Sequence, residues 1–127
     1  MLPVTLAVGR WLSPLPADRK GAVDLIVSNP PYVTIGEWPY LPAEVRPEPR
    51  GALVAGDGTD GTPGLADVEA VLSEALAWLA RPGSVVIELS PAQAGPGADM
   101  ARSMGFTHVR TEKDLTQRER ALVGRVD

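Results

Sequence analysis

The sequence predicts an α/β fold whose sheet is mostly parallel with an antiparallel last strand. Short apolar runs rich in β-branched residues alternate with helical patterns, which is typical of a sheet covered by helices. Two final strands with no helix between them indicate an antiparallel pair at one edge. The 127 residues, 44% apolar and 22% charged, suffice for one core and have ordinary globular composition.

The first half of the chain predicts two strands and a long loop. Val4–Val8 is a short apolar run and predicts the first strand. Val23–Ser28 is apolar almost throughout and predicts a strand buried on both faces. It ends at Asn29-Pro30-Pro31, because proline cannot donate to a sheet ladder and restricts the residue before it. Residues 34–64, rich in proline and glycine, predict an irregular loop of a length that is usually functional.

The second half predicts two helices and three strands. A helix is expected where apolar residues recur every three or four positions after an acidic first turn, up to Arg81-Pro82-Gly83. The predicted elements are a helix over Leu65–Ala80, a buried strand over Ser84–Leu89, a helix over Pro91–Met104, and strands over Phe106–Thr111 and Ala121–Val126.

Composition excludes several classes of site. The chain has no cysteine and one histidine, which rules out disulfides, thiolate metal sites and a histidine metal cluster. A net charge of −4 gives no electrostatic footprint for nucleic acid. No uninterrupted apolar run is long enough to span a membrane, and the N-terminus lacks the features of a signal peptide. We therefore expect a cytoplasmic protein that binds neither membrane nor nucleic acid directly.

The segment Asn29-Pro30-Pro31-Tyr32 is the most informative candidate site. Ligands of open α/β sheets bind beyond the carboxyl ends of the strands, where this segment is expected. The prolines remove two N–H donors, which leaves the Asn29 amide oxygen and nearby backbone carbonyls beside the Tyr32 ring. Such acceptors beside an aromatic face suit a planar –NH2 group. The alternative is a rigid turn with a surface tyrosine.

An Asn-Pro-Pro-Tyr motif after an apolar strand resembles the substrate-amine motif of S-adenosylmethionine-dependent amino-group methyltransferases. Within that group, the chain resembles the protein-glutamine N5 methyltransferases that modify peptide chain release factors. The segments that follow this family's order and spacing are Glu44–Leu53, Gly56–Gly61, Pro82-Gly83, Gln93, Gly105-Phe106, Asp114-Leu115, Arg118, Arg120 and Gly124-Arg125. The resemblance extends through nearly the whole chain.

The resemblance implies a fold, a reaction and a set of site residues. The fold is a Rossmann-like class I methyltransferase sheet, and the reaction methylates a glutamine side-chain amide in the Gly-Gly-Gln loop of a release factor. Asn29 and Pro30 would be the catalytic residues that accept the N–H groups of this amide, with Asn29 also touching S-adenosylmethionine. Pro31 would complete the substrate-binding turn, and Tyr32 would pack against the substrate amide.

The resemblance is to the C-terminal half of the catalytic domain, so residues 1–127 predict a partial domain and 34–64 a substrate-side loop. Val4–Val8 and Val23–Ser28 match the family's third and fourth strands, whereas the first two strands and the glycine-rich cofactor loop have no counterpart here. Gly9-Arg10 stands where the family usually has Gly-Asp, and an arginine cannot accept a hydrogen bond from adenine. Pro47 replaces a histidine often found before Glu-Pro-Arg. Binding of S-adenosylmethionine by this chain alone is therefore not expected.

Two other functions compete with this interpretation. The chain could be a fragment of a DNA adenine-N6 or cytosine-N4 methyltransferase, which a basic target-recognition region would favour. It could also be a non-catalytic remnant that binds a partner protein through 34–64. A dinucleotide site at Gly56–Gly61 is disfavoured: no acidic residue closes a strand at the required distance, and two loop aspartates would repel phosphate.

The remaining polar candidates have structural interpretations. Glu88 lies inside an apolar strand and predicts an ion pair with an arginine such as Arg50. His108 is expected on the surface of a strand. Trp38 and Tyr40 could line a substrate cleft. Three further arginines predict a solvated face or a weak anion patch: Arg118, Arg120 and Arg125.

Overall fold

The structure, a computed structural model, describes residues 3–31 and 55–127. Within these residues a short 3-10 helix precedes a sheet of four strands flanked by two helices. The elements in chain order are the 3-10 helix Ala17–Arg19, β1 (Val23–Ser28), α1 (Ala66–Trp78), β2 (Leu79–Glu88), α2 (Pro91–Met104), β3 (His108–Lys113) and β4 (Glu119–Val126).

The sheet has the order β1-β2-β4-β3. β1 and β2 are parallel, with Ile26 opposite Val85 and Val27 opposite Val86. β4 lies between β2 and β3 and is antiparallel to both. β1, β2 and β3 therefore run in one direction and only the last strand is reversed. This confirms the predicted mostly parallel α/β sheet and agrees with a partial Rossmann-like methyltransferase sheet.

The predicted strand Val4–Val8 is wrong. Residues 3–8 have no regular secondary structure and pair with no strand of the described sheet. Val4, Leu6 and Val8 are 81%, 92% and 99% exposed. An apolar run has the propensity for a strand, but a strand forms only where a neighbour completes its hydrogen bonds and covers its side chains.

β1 has the predicted bounds but only one buried face. Ile26 is buried in the core, whereas Leu25 and Val27 are 56% and 71% exposed. The expectation of burial on both faces is therefore wrong for the described residues. The strand ends at Ser28, directly before Asn29, Pro30 and Pro31, as the missing proline donors predict.

The boundary between α1 and β2 lies earlier than the sequence suggests. α1 buries the predicted apolar stripe but ends at Trp78, and Leu79 already belongs to β2 and is 1% exposed. The Arg81 guanidinium donates to the carbonyl oxygens of Leu79 at 2.7 Å and Leu76 at 2.9 Å. Arg81 thus satisfies carbonyls that the end of a helix leaves unpaired. Pairing with β1 is irregular over this stretch, which accommodates Pro82 in the strand.

α2 spans the predicted range and is held at both ends. Gln93, buried near the start, accepts a hydrogen bond from the Ser90 N–H at 3.1 Å and donates to the Pro63 carbonyl at 3.1 Å. Gly105 ends the helix with a φ of 112°, a conformation that suits glycine. At Gly97 a Cβ atom would lie 3.2 Å from a Leu89 methyl carbon, so glycine lets the helix approach the sheet closely.

The last two strands form the predicted antiparallel pair at one edge. Both are shifted from prediction: β3 begins two residues later, and β4 begins at Glu119. Phe106, expected in β3, is instead buried before it and lies against Gly124. The Phe106 side chain packs between helix and sheet, so the strand begins only at the residues that follow it.

Both helices pack on the same face of the sheet. The core joins Ile26, Val85, Ile87 and Leu122 to the buried faces of α1 and α2. No helix within the described ranges is both long enough and apolar enough to cross a membrane. The two helices begin and β1 and β2 end at one edge of the sheet, which is where the candidate site lies.

Candidate functional site

Asn29, Pro30 and Pro31 follow directly after the carboxyl end of β1, as predicted. Asn29 is exposed, Pro30 is buried and Pro31 is half-buried. The Asn29 side chain forms no hydrogen bond with any residue in the described ranges. Because neither proline carries an N–H group, the turn presents carbonyl acceptors together with an uncommitted amide.

A hollow of ≈ 560 Å³ opens beside this turn. Its volume lies within the range typical of small-ligand sites. Both apolar rings and charged groups line this hollow, so a ligand group bound there would contact a surface of mixed polarity. The lining residues are Gly9, Arg10, Trp11, Ser28, Asn29, Pro30, Pro31 and Asp67.

Asp67 lies in the first turn of α1 and contributes a carboxylate to the same hollow. Burial raises the pKa of Asp67 above its ordinary value, and the nearby positive charge of Arg10 partly offsets this shift. Arg10 and Asp67 give the hollow two opposite charges close to the Asn29 amide.

A second hollow of ≈ 410 Å³ borders the same turn. Val27 and Val86, which face away from the two helices, form its apolar floor, so it lies on the other face of the sheet. Ser28 and Asn29 line both hollows. The Asn29 position is thus accessible from two sides of the sheet edge.

Arg120 organises the polar rim of the second hollow. Its Nη2 atom is 3.3 Å from Glu88 Oε1, and its Nε atom is 3.9 Å from Asp114 Oδ2. The Thr116 hydroxyl donates to Asp114 at 2.6 Å, and this hydrogen bond is the main reason why the pKa of Asp114 is lowered. The rim therefore joins the end of β2 to the β3–β4 turn.

The predicted ion pair of Glu88 is confirmed with a different partner. The partner is Arg120, not the suggested Arg50, which lies outside the described residues. Glu88 is also not buried: its side chain is 41% exposed, because it lies at the end of β2 on the face without helices. Among the other arginines proposed for a solvated face, Arg125 is half-exposed and pairs with Asp127 at 2.9 Å, and Arg118 is exposed.

His108 lies far from the site, as expected for a surface histidine. It begins β3, at the opposite edge of the sheet from β1, and β3 runs parallel to β1. It is therefore at the amino end of the strands, whereas Asn29 is at the carboxyl end. The His108 Nε2 atom pairs with the Asp127 carboxylate at 2.8 Å.

The loop Gly56–Gly61 is anchored by its own carboxylates and hydroxyls. Asp60 accepts hydrogen bonds from the N–H and hydroxyl of Thr62, both at 2.9 Å. The Thr59 N–H donates to Glu69 of α1 at 3.1 Å, and its hydroxyl donates to the same carboxylate. Acidic side chains that already hold the loop leave an unfavourable environment for phosphate, which supports the exclusion of a dinucleotide site.

Comparison with known proteins identifies the relatives of this chain. It is 41% identical over 102 residues to the release factor glutamine methyltransferase of Rhodopirellula baltica, which covers 78% of this chain and 32% of the relative. It is 36% identical over 122 residues to that of Moorella thermoacetica, covering 94% and 40%. With that of Yersinia pestis it shares 33% identity over 116 residues, covering 91% and 39%.

The chain is a relative of the release factor glutamine methyltransferases. This confirms the resemblance predicted from the Asn-Pro-Pro-Tyr motif and the segments after it. The chain spans between 32% and 40% of the length of these three methyltransferases. No protein-family model matches the chain.

Several predicted site residues lie outside the described part of the chain. These include Tyr32, the aromatic partner of the motif, and the candidate cleft residues Trp38 and Tyr40. Most of the predicted substrate-side loop also lies there, and its described part, residues 55–64, contains no helix or strand. The roles of Asn29, Pro30 and Pro31 in the methyltransferase reaction remain predictions.

Sequence reasoning missed Asp67 as a site residue. In the sequence, Asp67 is one of the acidic residues of the first helical turn and indicates only a favourable helix start. The signal that could have found it is topological: a helix that returns from one parallel strand to the next begins at the carboxyl edge of the sheet. The first turn of α1 must therefore lie at the same edge as Asn29.

The charged groups at this edge and the turns that lead into the helices bear on cofactor binding. Arg10 and Asp67 are the charged residues among the described lining of the first hollow. In the described ranges, no glycine-rich turn leads from a strand into a helix. Nor does that part of the chain contain a cluster of residues that could hold a metal ion.

Proposed function

We propose that this chain provides the substrate side of a methyltransferase that acts on the side-chain amide nitrogen of a glutamine in peptide chain release factors. The observation that carries this proposal is the uncommitted Asn29 amide at the carboxyl end of β1, in a chain whose relatives are named release factor glutamine methyltransferases. Catalytic roles are proposed for Asn29 and Pro30, and substrate contacts for Pro31 and Tyr32.

The acceptors of the turn are suited to hold a primary amide. The Asn29 side-chain oxygen and the Pro30 carbonyl oxygen would each accept one N–H of the glutamine amide. Two such hydrogen bonds fix the plane of the amide and direct its nitrogen lone pair towards the incoming methyl group. Catalysis of this kind depends on positioning and requires no strong base in the turn.

Apolar groups beside the turn could pack on the plane of a bound amide. Pro30 is buried, and Trp11 adds an apolar ring to the first hollow. Burial of the amide would strengthen its hydrogen bonds because the local dielectric constant falls. S-adenosylmethionine would supply the methyl group when bound, and the amide nitrogen would release one proton to solvent as it gains the methyl group.

The partner follows from the same proposal. The substrate would be the Gly-Gly-Gln loop of a release factor, which the segment 34–64 would contact as a substrate-side loop of this partial catalytic domain. Release factors act on ribosomes, so the protein would work in the cytoplasm. The proposal includes no direct contact with membrane or nucleic acid.

A chimeric enzyme tests this function. The matched segment of the Moorella thermoacetica methyltransferase is replaced by this chain, and the purified chimera is incubated with S-adenosylmethionine and a release factor. We expect a mass increase of one methyl group on the peptide that contains the Gly-Gly-Gln loop. A folded chimera that leaves this peptide unmodified would show that the chain lacks the proposed function.

The specificity control uses DNA as the acceptor. Adenine and cytosine also present planar –NH2 groups, so the turn alone does not select a protein amide. We expect no methyl transfer from the chimera to duplex or single-stranded DNA. Methylation of DNA in preference to the release factor would replace the proposed substrate class with a nucleobase.

A further inference from the structure

The turn after β1 depends on its neighbour for its position. The pairing of β1 with β2 is regular up to Ser28, which lies opposite Ile87. Asn29 comes next, and neither Pro30 nor Pro31 has an N–H group that could extend the pairing. The alignment of Asn29 at the sheet edge therefore depends on how firmly the end of β2 is held.

Arg120 of β4 holds the end of β2 from the other side. Its carbonyl oxygen accepts a hydrogen bond from the Leu89 N–H at 3.1 Å. Its guanidinium Nη2 atom lies 3.3 Å from Glu88 Oε1. Arg120 thus contacts two consecutive residues where β2 ends, one through its backbone and one through its side chain.

The same guanidinium reaches the β3–β4 turn, which lies at the same edge as Asn29 because β3 runs parallel to β1. The Arg120 Nε atom is 3.9 Å from Asp114 Oδ2. Asp114 in turn accepts hydrogen bonds from the N–H groups of Thr116 at 2.8 Å and Arg118 at 3.2 Å, which tie the turn together. A single side chain therefore joins this turn to the end of β2.

The charges around Arg120 make this link important for the shape of the site. Glu88 and Asp114 are both carboxylates, and they line the same hollow of ≈ 410 Å³ as Asn29. The Arg120 side chain is 32% exposed, against 56% for Arg102 in its surface pair, so its ion pairs are screened less by water. Loss of the guanidinium would leave two like charges at one hollow and favour separation of the turn from β2.

We propose that Arg120 is a positioning residue for the candidate site: by holding the end of β2 and the β3–β4 turn together, it fixes the place of Asn29 for an acceptor amide. Its planar guanidinium suits this task, because it presents several N–H groups in a fixed geometry that a lysine ammonium lacks. The kinetic consequence rests on the proposed function, whereas the structural consequence concerns this chain alone.

The first test measures the structural consequence. Asn29 is the only asparagine in the sequence, so labelling with 15N-asparagine gives one backbone N–H signal and one side-chain NH2 pair in the NMR spectrum. We expect Arg120→Gln to shift these signals and to lower the order parameter of the Asn29 N–H, which reports fast backbone motion.

The matched control is Arg125→Gln, which removes another arginine of β4. Arg125 pairs with Asp127 at 2.9 Å and lies opposite His108, at the amino edge of the sheet. It should therefore leave the Asn29 signals in place. Asn29 signals that shift no more for Arg120→Gln than for Arg125→Gln would overturn the inference.

Two further variants separate positioning from folding. Arg120→Lys retains the charge but not the fork of N–H groups, so it should act in the same direction and less strongly. Gly124→Ala is the control for lost stability, because its Cβ atom would lie 2.9 Å from the Phe106 ring. It should lower the unfolding midpoint and leave the Asn29 signals in place. Equal shifts in Gly124→Ala would overturn the inference, as would unchanged signals in Arg120→Lys if Arg120→Gln does not fold.

The second test measures the kinetic consequence in the chimera. Arg120→Gln should lower kcat and kcat/KM by the same factor, about 10- to 100-fold, because a misplaced group loses its contact in the transition state. KM for the release factor should not change, since the proposed role includes no contact with it. Arg125→Gln and Gly124→Ala should retain kcat. A rise in KM at unchanged kcat would overturn the positioning role, because it would indicate direct binding of the substrate by Arg120.

The outcomes separate this inference from the proposed function. A folded wild-type chimera that transfers no methyl group refutes the proposed function, and the labelling test still decides whether Arg120 fixes Asn29. An active chimera in which Arg120→Gln changes neither the Asn29 signals nor kcat refutes the inference and leaves the proposed function intact.

Discussion

The prolines after Asn29 and the end of the parallel strand β1 together determine the position of Asn29. β1 ends because the prolines after Asn29 cannot continue the ladder, and parallel strands end where ligands bind. The side chain then projects at the edge of the sheet without a hydrogen-bond partner in the described ranges. An unpaired side-chain amide at this position costs little free energy of folding, because water hydrates it. A bound substrate amide would replace that water.

The proposed role of Asn29 gives a sharp kinetic prediction. In the active chimera, Asn29→Ala should lower kcat about 100-fold or more, as loss of a preorganised hydrogen bond to a reacting group typically does. His108→Ala is the control and should retain full kcat, because His108 lies at the opposite end and edge of the sheet. Equal losses in the two variants, measured by steady-state methylation, would refute the site assignment.

Replacing glycine with alanine should have opposite effects on stability at two positions. At Gly124, a Cβ atom would lie 2.9 Å from the Phe106 ring, so Gly124→Ala should destabilise the fold by about 1–3 kcal/mol through overpacking. At Gly95, within α2, a Cβ atom meets nothing within 4 Å. Gly95→Ala should stabilise by about 0.5–1 kcal/mol through helix propensity. Urea unfolding of both variants measures the difference, and equal effects would contradict the packing of Phe106 on Gly124.

At the scale of elements, prediction from sequence succeeded where a local signal and a tertiary partner agree. β1 and α2 have their predicted bounds, because prolines end the strand and a Ser90–Gln93 cap and Gly105 delimit the helix. The start of β2 was missed because Arg81, which looked like a helix stop, instead caps α1 from within the next strand. No local sequence pattern predicts such a contact.

Val4–Val8 has a local strand signal but no partner strand in the described sheet, and mutation can test its exposure to solvent. Leu6→Ala should change the free energy of unfolding by no more than about 0.5 kcal/mol, because Leu6 is 92% exposed. Ile26→Ala should cost about 2–5 kcal/mol, since Ile26 belongs to the core. The two values come from urea denaturation of the single variants. A large cost for Leu6→Ala would mean that this segment is a packed strand after all.

The β3–β4 turn should be sensitive to acid through Asp114. Hydrogen bonds from Thr116 hold the pKa of Asp114 below its ordinary value of 3.8, so the folded state favours the carboxylate. Its contribution to stability is complete above the unfolded-state pKa and is lost as pH falls through the lower folded-state pKa. The stability difference between wild type and Asp114→Ala should therefore narrow below about pH 4.

The control for this titration lies in the same turn. Leu115→Ala changes an exposed side chain that carries no proton, so its difference from wild type should not depend on pH. Chemical unfolding at several pH values between neutral and acidic provides both differences. A difference for Asp114→Ala that stays constant into acid would show that the carboxylate form is not preferred in the folded turn.

At the scale of the whole molecule, the sequence allowed the candidate site to be placed but not its surroundings. The motif and the strand order locate Asn29 at the carboxyl edge of the sheet. The place of Asp67 in the first hollow and the Arg120 rim depend on contacts between distant segments, which one sequence does not reveal. The exposure of one face of β1 could not be predicted from the sequence. An apolar strand sequence indicates burial on both faces, but it does not show which segment provides the cover.

We predict that the chain alone binds S-adenosylmethionine very weakly. The chain alone should give no calorimetric signal of binding, with a Kd weaker than about 1 mM, or less than about 4 kcal/mol of binding free energy. This expectation rests on Gly9-Arg10, where the resembled family usually has Gly-Asp, and on the lack of a glycine-rich turn from strand to helix in the described residues. Micromolar binding by the chain alone would mean that its own residues form a cofactor site, which would contradict this prediction.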